Sequence, residues 1–217
     1  MRRGLEMFWK FLDEPMFYWT RFALALLVVP VIISFTLPLW HIRMTASQYP
    51  EGLDLHIYSY KVEGGHEGRD IGEINTLNHY IGMKKLDRSE FTDLDWLPFA
   101  FGALALLALR TAAIGNIRAL IDFAVITFYV SSFAMGRFIY KLYSYGHQLD
   151  PGAPFKTEPF TPAIWGTKQI ANFTTESYPS AGSYLIAVFI TGIFAIAFWH
   201  LVAGRFRAVR RAQTPVS

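Results

Sequence analysis

Hydrophobic and polar positions along this chain fall into long blocks. Four apolar runs, at about 22–40, 96–109, 119–140 and 183–203, are separated by two long polar loops and one very short turn. A helix needs about 20 apolar residues to cross a bilayer core. The blocks therefore predict an all-α membrane protein with four transmembrane helices. Its loops, 41–95 and 141–182, lie outside the cytoplasm and together form a small mixed cap. Residues 1–21 form an interfacial segment on the cytoplasmic side, residues 22–203 the membrane domain, and residues 204–217 a basic cytoplasmic tail.

Finer patterns sit inside these blocks. Pro30 and Pro38 interrupt the first run, and a kink is expected near Pro30 because a proline removes a helical hydrogen bond. Residues 53–60 alternate in polarity, as a short strand does, and Gly64-Gly65 reads as a turn. Residues 74–86 suit a helix lying on the membrane. That helix stacks Asn75, His79 and Met83 on one face, with Ile74, Leu77 and Ile81 on a neighbouring apolar stripe. In the second loop, rich in proline and aromatics, 167–173 is the one stretch expected to make a helical turn. The front segment holds Trp9, Trp19 and Tyr18 among cations, a composition that favours the headgroup level.

Charge adds orientation. Of 217 residues 53% are hydrophobic and the formal charge is only +3, too little to suggest a nucleic-acid partner. Its distribution is uneven: Lys and Arg gather before residue 22, at Arg110 and Arg118, and after residue 204, while acids crowd the first loop. The positive-inside rule then puts both termini in the cytoplasm and both large loops outside, as in a multi-pass protein of a bacterial inner membrane. The first apolar run is too long for a secretory signal, lacks a cleavage site, and is read as retained.

The chain has no cysteine, which rules out disulfides, thiolate metal sites and covalent c-type haem attachment. The remaining soft donors are imidazoles and thioethers: His41 and Met44 after the first run, His79 and Met83 in the central stretch, and His147 after the third. That set suits copper, in its cuprous form above all. Arg137 lies within the third run and is expected to turn toward protein or a partner subunit. Asn75, Asn78, Lys168, Gln169 and Asn172 are expected as polar contacts that organise the cap or a partner. His56 and His66 read as solvated residues. No nucleophile elbow, phosphate-binding loop or calcium loop is present, so no catalytic residue is assigned.

Two stretches carry a resemblance: Leu77-Asn78-His79-Tyr80-Ile81-Gly82-Met83, and Phe160-Thr161-Pro162 with Gly166-Thr167-Lys168-Gln169-Ile170-Ala171-Asn172-Phe173. With the span count, they resemble small bacterial membrane proteins of gene clusters for periplasmic copper enzymes, above all those for nitrous oxide reductase maturation. The resemblance implies an accessory protein in the assembly or electron supply of an exported copper-dependent respiratory enzyme. The copper chaperones of that system use a cysteine that this chain lacks. Its expected partners are membrane lipid and other membrane or periplasmic subunits. Two alternatives stand beside this reading: a metal-free docking subunit, and a subunit lining a quinol pocket with Arg137 and the outer aromatics.

Overall fold

The computed structural model describes residue 6, residues 9–170 and residues 173–213. Asn172, expected as a cap contact, lies outside them. In chain order the elements are α1 (Tyr18–Leu26), α2 (Val28–Ser34), β1 (Trp40–Ala46), β2 (Tyr49–Ile57), β3 (Val62–Gly64), α3 (Asp70–Tyr80), α4 (Asp93–Ile114), α5 (Ile117–His147), β4 (Gly166–Ile170), β5 (Phe173–Pro179) and α6 (Ala181–Gln213). They form two compact units. One comprises Met1–Ile32, Phe101–Ser131 and Ile186–Ser217, and the other Ile33–Ala100 and Ser132–Leu185.

This architecture corrects the all-α, four-span expectation in two ways. Three helical stretches are long and apolar enough to cross a membrane: Asp93–Ile114, Ile117–His147 and Ala181–Gly204. The first apolar run is instead split into the short helices α1 and α2, and Trp40 opens a strand. Pro30 accounts for the split. It has no N–H for the Leu26 carbonyl, and its ring crowds that carbonyl, so α1 ends at Leu26. The second correction concerns the loops. They fold into one five-stranded antiparallel sheet of order β3-β2-β1-β5-β4, in which the second loop supplies β4 and β5. Residues 167–173, expected as a helical turn, fall largely in β4.

The helical unit is built on tight helix contacts. Leu24, Ala108, Leu120, Phe189 and Ile193 are buried, and the rings of Phe123 and Phe189 meet edge to face at 6.3 Å. At one end, α4 and α5 are joined by Gly115 and Asn116. Gly115 takes φ +69°, the left-handed conformation usual after a helix. Arg21 donates to the last carbonyls of α4, at Ala112 (2.8 Å) and Ala113 (2.9 Å), which have no intrahelical partner. The chain before α1 bonds the same turn, through Met16 N–H to Gly115 O at 2.7 Å and Ile117 N–H to Glu14 O at 3.1 Å. His200 is buried in this unit, 2.8 Å from the Thr20 hydroxyl and stacked on Phe17.

Among the described residues, the core clusters of the sheet unit lie on one sheet face. Leu53 and Leu55 of β2 bury against Ile74 of α3, with Ile42, Met44, Ile71 and Leu77 around them. Beside this lies a second cluster, Ala46, Ile81 and Phe173, packed by Met44, Tyr49, Met83 and Phe160. The same face buries hydroxyls as well as hydrocarbon. Ser177 accepts the Trp40 indole N–H at 2.8 Å and donates to Ile164 O at 3.3 Å.

Candidate functional site

Because side chains alternate across a strand, covering one sheet face leaves the other to polar residues. Register assembles them into two rows. One row runs Glu63, His56, His41, Tyr178 across β3, β2, β1 and β5. The next runs Asp54, Arg43, Glu176, Thr167 across β2, β1, β5 and β4. His41 and His56 stack with ring centroids 4.7 Å apart and planes within 13°. His41 Nε2 donates to Asp54 Oδ1 at 2.8 Å, and Arg43 Nε approaches the same oxygen at 3.7 Å. His56 Nδ1 is buried without a hydrogen-bond partner among the described residues. At the edge, Lys61 pairs with Glu63 at 2.7 Å, which raises the lysine pKa.

The strand that carries Asp54 is pinned from below. The Asp54 N–H donates to the buried Asp70 carboxylate at 2.8 Å, and His66 Nδ1 lies 2.9 Å from the same group. His66 reaches it through an unusual turn in which His66, Glu67 and Gly68 all have positive φ, at 48°, 60° and 88°. For residues with a Cβ that conformation costs about 1–2 kcal/mol each. The hydrogen bonds to Asp70 offset part of that cost. Gly65 is required beside it, since a Cβ there would sit 2.6 Å from Asp70 Oδ2.

The structure distributes the sequence-derived candidates differently. His41 joins the polar face. Met44, an odd number of residues along the same strand, points to the apolar face, and it and Met83 each pack against the cluster of Ala46, Ile81 and Phe173. His79 is exposed, with its ring 6.3 Å from that of Tyr80. The expected stacking of Asn75, His79 and Met83 stops at His79, because α3 ends at Tyr80 and Gly82 reverses the chain at φ +78°. His147 stacks on Tyr143, one turn earlier in α5, with ring centroids 3.7 Å apart. Among the described residues no three His, Asp or Glu side chains are grouped to hold a metal ion.

The polar candidates take local partners. Asn75 clamps residue 86 from both sides, accepting from Leu86 N–H at 2.6 Å and donating to Leu86 O at 3.5 Å. Asn78 donates to Lys84 O at 3.2 Å. Arg137 turns toward protein and forms a two-pronged pair with Asp93, at 2.8 and 3.1 Å. Lys168 donates to Thr161 O at 2.7 Å, and Gln169 is exposed on β4.

Chemically, the polar face offers two imidazoles, carboxylates and a guanidinium at positions fixed by the strands. Its hydroxyls are those of Thr167 and Tyr178, 3.5 Å apart, whereas Ser177 is buried on the other face and already engaged by Trp40. Sequence reasoning missed His56, Asp54, Arg43 and Glu176 as a group. The signal was the alternation of 40–46, hidden by its continuity with the first apolar run. The chain matches no known family model, no curated protein and no solved structure.

Proposed function

We propose that this chain is a membrane-anchored docking subunit. Its long apolar helices hold it in a bacterial inner membrane, and the polar sheet face seats a protein partner on the extracytoplasmic side. The observation that carries this reading is the face itself: both signs of charge, set side by side by strand register and left open. A surface of that kind selects a partner through complementary placement of charges, and gains specificity more than raw affinity. The orientation rests on the cations before residue 22, at Arg110 and Arg118, and after residue 204. The partner class to test first is an exported copper-dependent respiratory enzyme or its electron donor, as the resemblance of the loop stretches implies.

The test exchanges charges without removing them. A photo-crosslinking residue at Thr167 or Tyr178, in the native host, is expected to capture the same exported protein from both positions. The double swap Arg43→Asp/Asp54→Arg keeps a cross-strand ion pair but reverses the pattern, and is expected to abolish the adduct. An unchanged adduct in the swapped chain overturns the docking reading.

A second reading, cuprous binding at the outer face, has one observation in its favour. Met44 and Met83 pack against one cluster, and paired thioethers suit Cu(I). It expects the purified protein to retain Cu(I) against a chelator and Met44→Leu/Met83→Leu to lose it. Equally low retention in both removes it.

A further inference from the structure

We infer that the end of the helical unit where α4 turns into α5 binds an anionic phospholipid with a polyol headgroup, of the phosphatidylglycerol type. An open cleft of about 180 Å³ lies there, with Arg110, Asn116, Arg118 and Asp122 on its polar side and Leu107 and Phe123 among its apolar lining. The two arginines stand about two turns of chain apart across a two-residue connection, since α4 ends at Ile114 and α5 starts at Ile117.

Both arginines have unused donors. Arg110 is exposed and has no carboxylate within ion-pair distance among the described residues. Arg118 holds Asp13 at 2.9 Å and lies over the Trp9 ring at 5.3 Å, yet its Nε is buried with no acceptor among the described residues. The exposed Arg110 is the guanidinium open to a phosphate oxygen, and Arg118 adds its positive charge at the cleft wall. Guanidinium groups also match phosphate geometry with paired N–H bonds.

The surroundings select a lipid over a free anion. Next to the cleft, α4 and α5 expose Leu106 (69%), Leu109 (44%), Ile126 (42%) and Phe128 (56%), in helices long and apolar enough to cross a membrane. An acyl chain covers such residues, and a free phosphate does not. Asp122 gives the headgroup preference. It is exposed in the cleft, repels excess negative charge, and accepts hydrogen bonds from hydroxyl groups. A glycerol headgroup supplies those hydroxyls while its phosphate meets the arginines.

Native mass spectrometry of the full chain, released from detergent, tests this. Wild type is expected to retain phosphatidylglycerol about tenfold more than phosphatidylcholine, and Arg110→Gln to remove that preference, a change of about 1.4 kcal/mol. Asp122→Asn is expected to abolish the preference for phosphatidylglycerol over phosphatidic acid. Arg118→Gln risks the fold through Asp13 and Trp9, so Arg110→Gln is the deciding variant, with gel filtration to confirm that it is folded. Equal retention of the two lipids by wild type, or an unaffected Arg110→Gln, overturns the inference. So does inorganic phosphate that displaces phosphatidylglycerol at equal concentration, since the site would then belong to the free anion.

Discussion

At the scale of single residues, two glycines make opposite demands. A Cβ on Gly146 would lie 1.8 Å from the Phe160 carbonyl oxygen, because the backbones of α5 and the second loop touch there, with Phe160 N–H bonded to Gly146 O at 3.0 Å. Gly146→Ala is expected to destabilise the sheet unit by about 1–3 kcal/mol, the usual cost of overpacking. Gly72, in the first turn of α3, has open space around it, and Gly72→Ala is expected to stabilise by about 0.5–1 kcal/mol through helix propensity. Thermal scanning of both variants in one detergent decides the matter, and a shift of the same sign in both contradicts it. A titration belongs at this scale too. The Tyr49 hydroxyl donates to Glu73, and that bond, with partial burial and the carboxylate charge, raises the tyrosine pKa. A raised phenol contributes stability that is complete below the unfolded value of about 10 and is lost as pH climbs through the folded value. Glu73→Gln is expected to bring the Tyr49 titration back toward 10, read by NMR with ring-labelled tyrosine and a Tyr49→Phe control.

At the scale of elements, α3 illustrates how one helix serves two neighbours. Ile74 anchors it to Leu53 and Leu55, and Asn75 and Asn78 hold the returning strand of chain at Leu86 and Lys84. Ile74→Ala is expected to cost about 2–5 kcal/mol, since it empties a fully buried site. Asn75→Ala leaves the Leu86 N–H without its partner and is expected to cost about 1–3 kcal/mol, with faster proteolysis of the segment after α3. Proteolysis unchanged from wild type argues against the clamp. The helix was legible in the sequence, and its length was not. Periodicity continues to residue 86, but Gly82 turns the chain where a Cβ would meet the Asp150 carbonyl at 2.9 Å. Such an approach depends on a segment far away in the sequence.

At the scale of the whole molecule, the absence of cysteine makes topology directly testable. Thr167→Cys is expected to react with a membrane-impermeant maleimide in intact spheroplasts, and Asp13→Cys only after lysis. Labelling of both from the same side contradicts the orientation proposed above. The cations behind that proposal flank the apolar runs in sequence, so the positive-inside rule reads them without any tertiary contact.

The second, third and fourth apolar runs and the basic turn between α4 and α5 are legible in the sequence, because run length and charge position are local quantities, whereas the first run was read as a fourth span and is split instead. The sheet needed tertiary structure. The face of β5 that points inward buries Phe173 but also Thr175 and Ser177, so the alternation of hydrophobicity that marks a half-buried strand is missing. Pairing with β1, some 130 residues earlier, is what makes 173–179 a strand, through hydrogen bonds and the Trp40–Ser177 contact. The polar face follows the same logic. His41, His56, Asp54, Arg43 and Glu176 are scattered along the chain, and only the register of three strands sets them side by side.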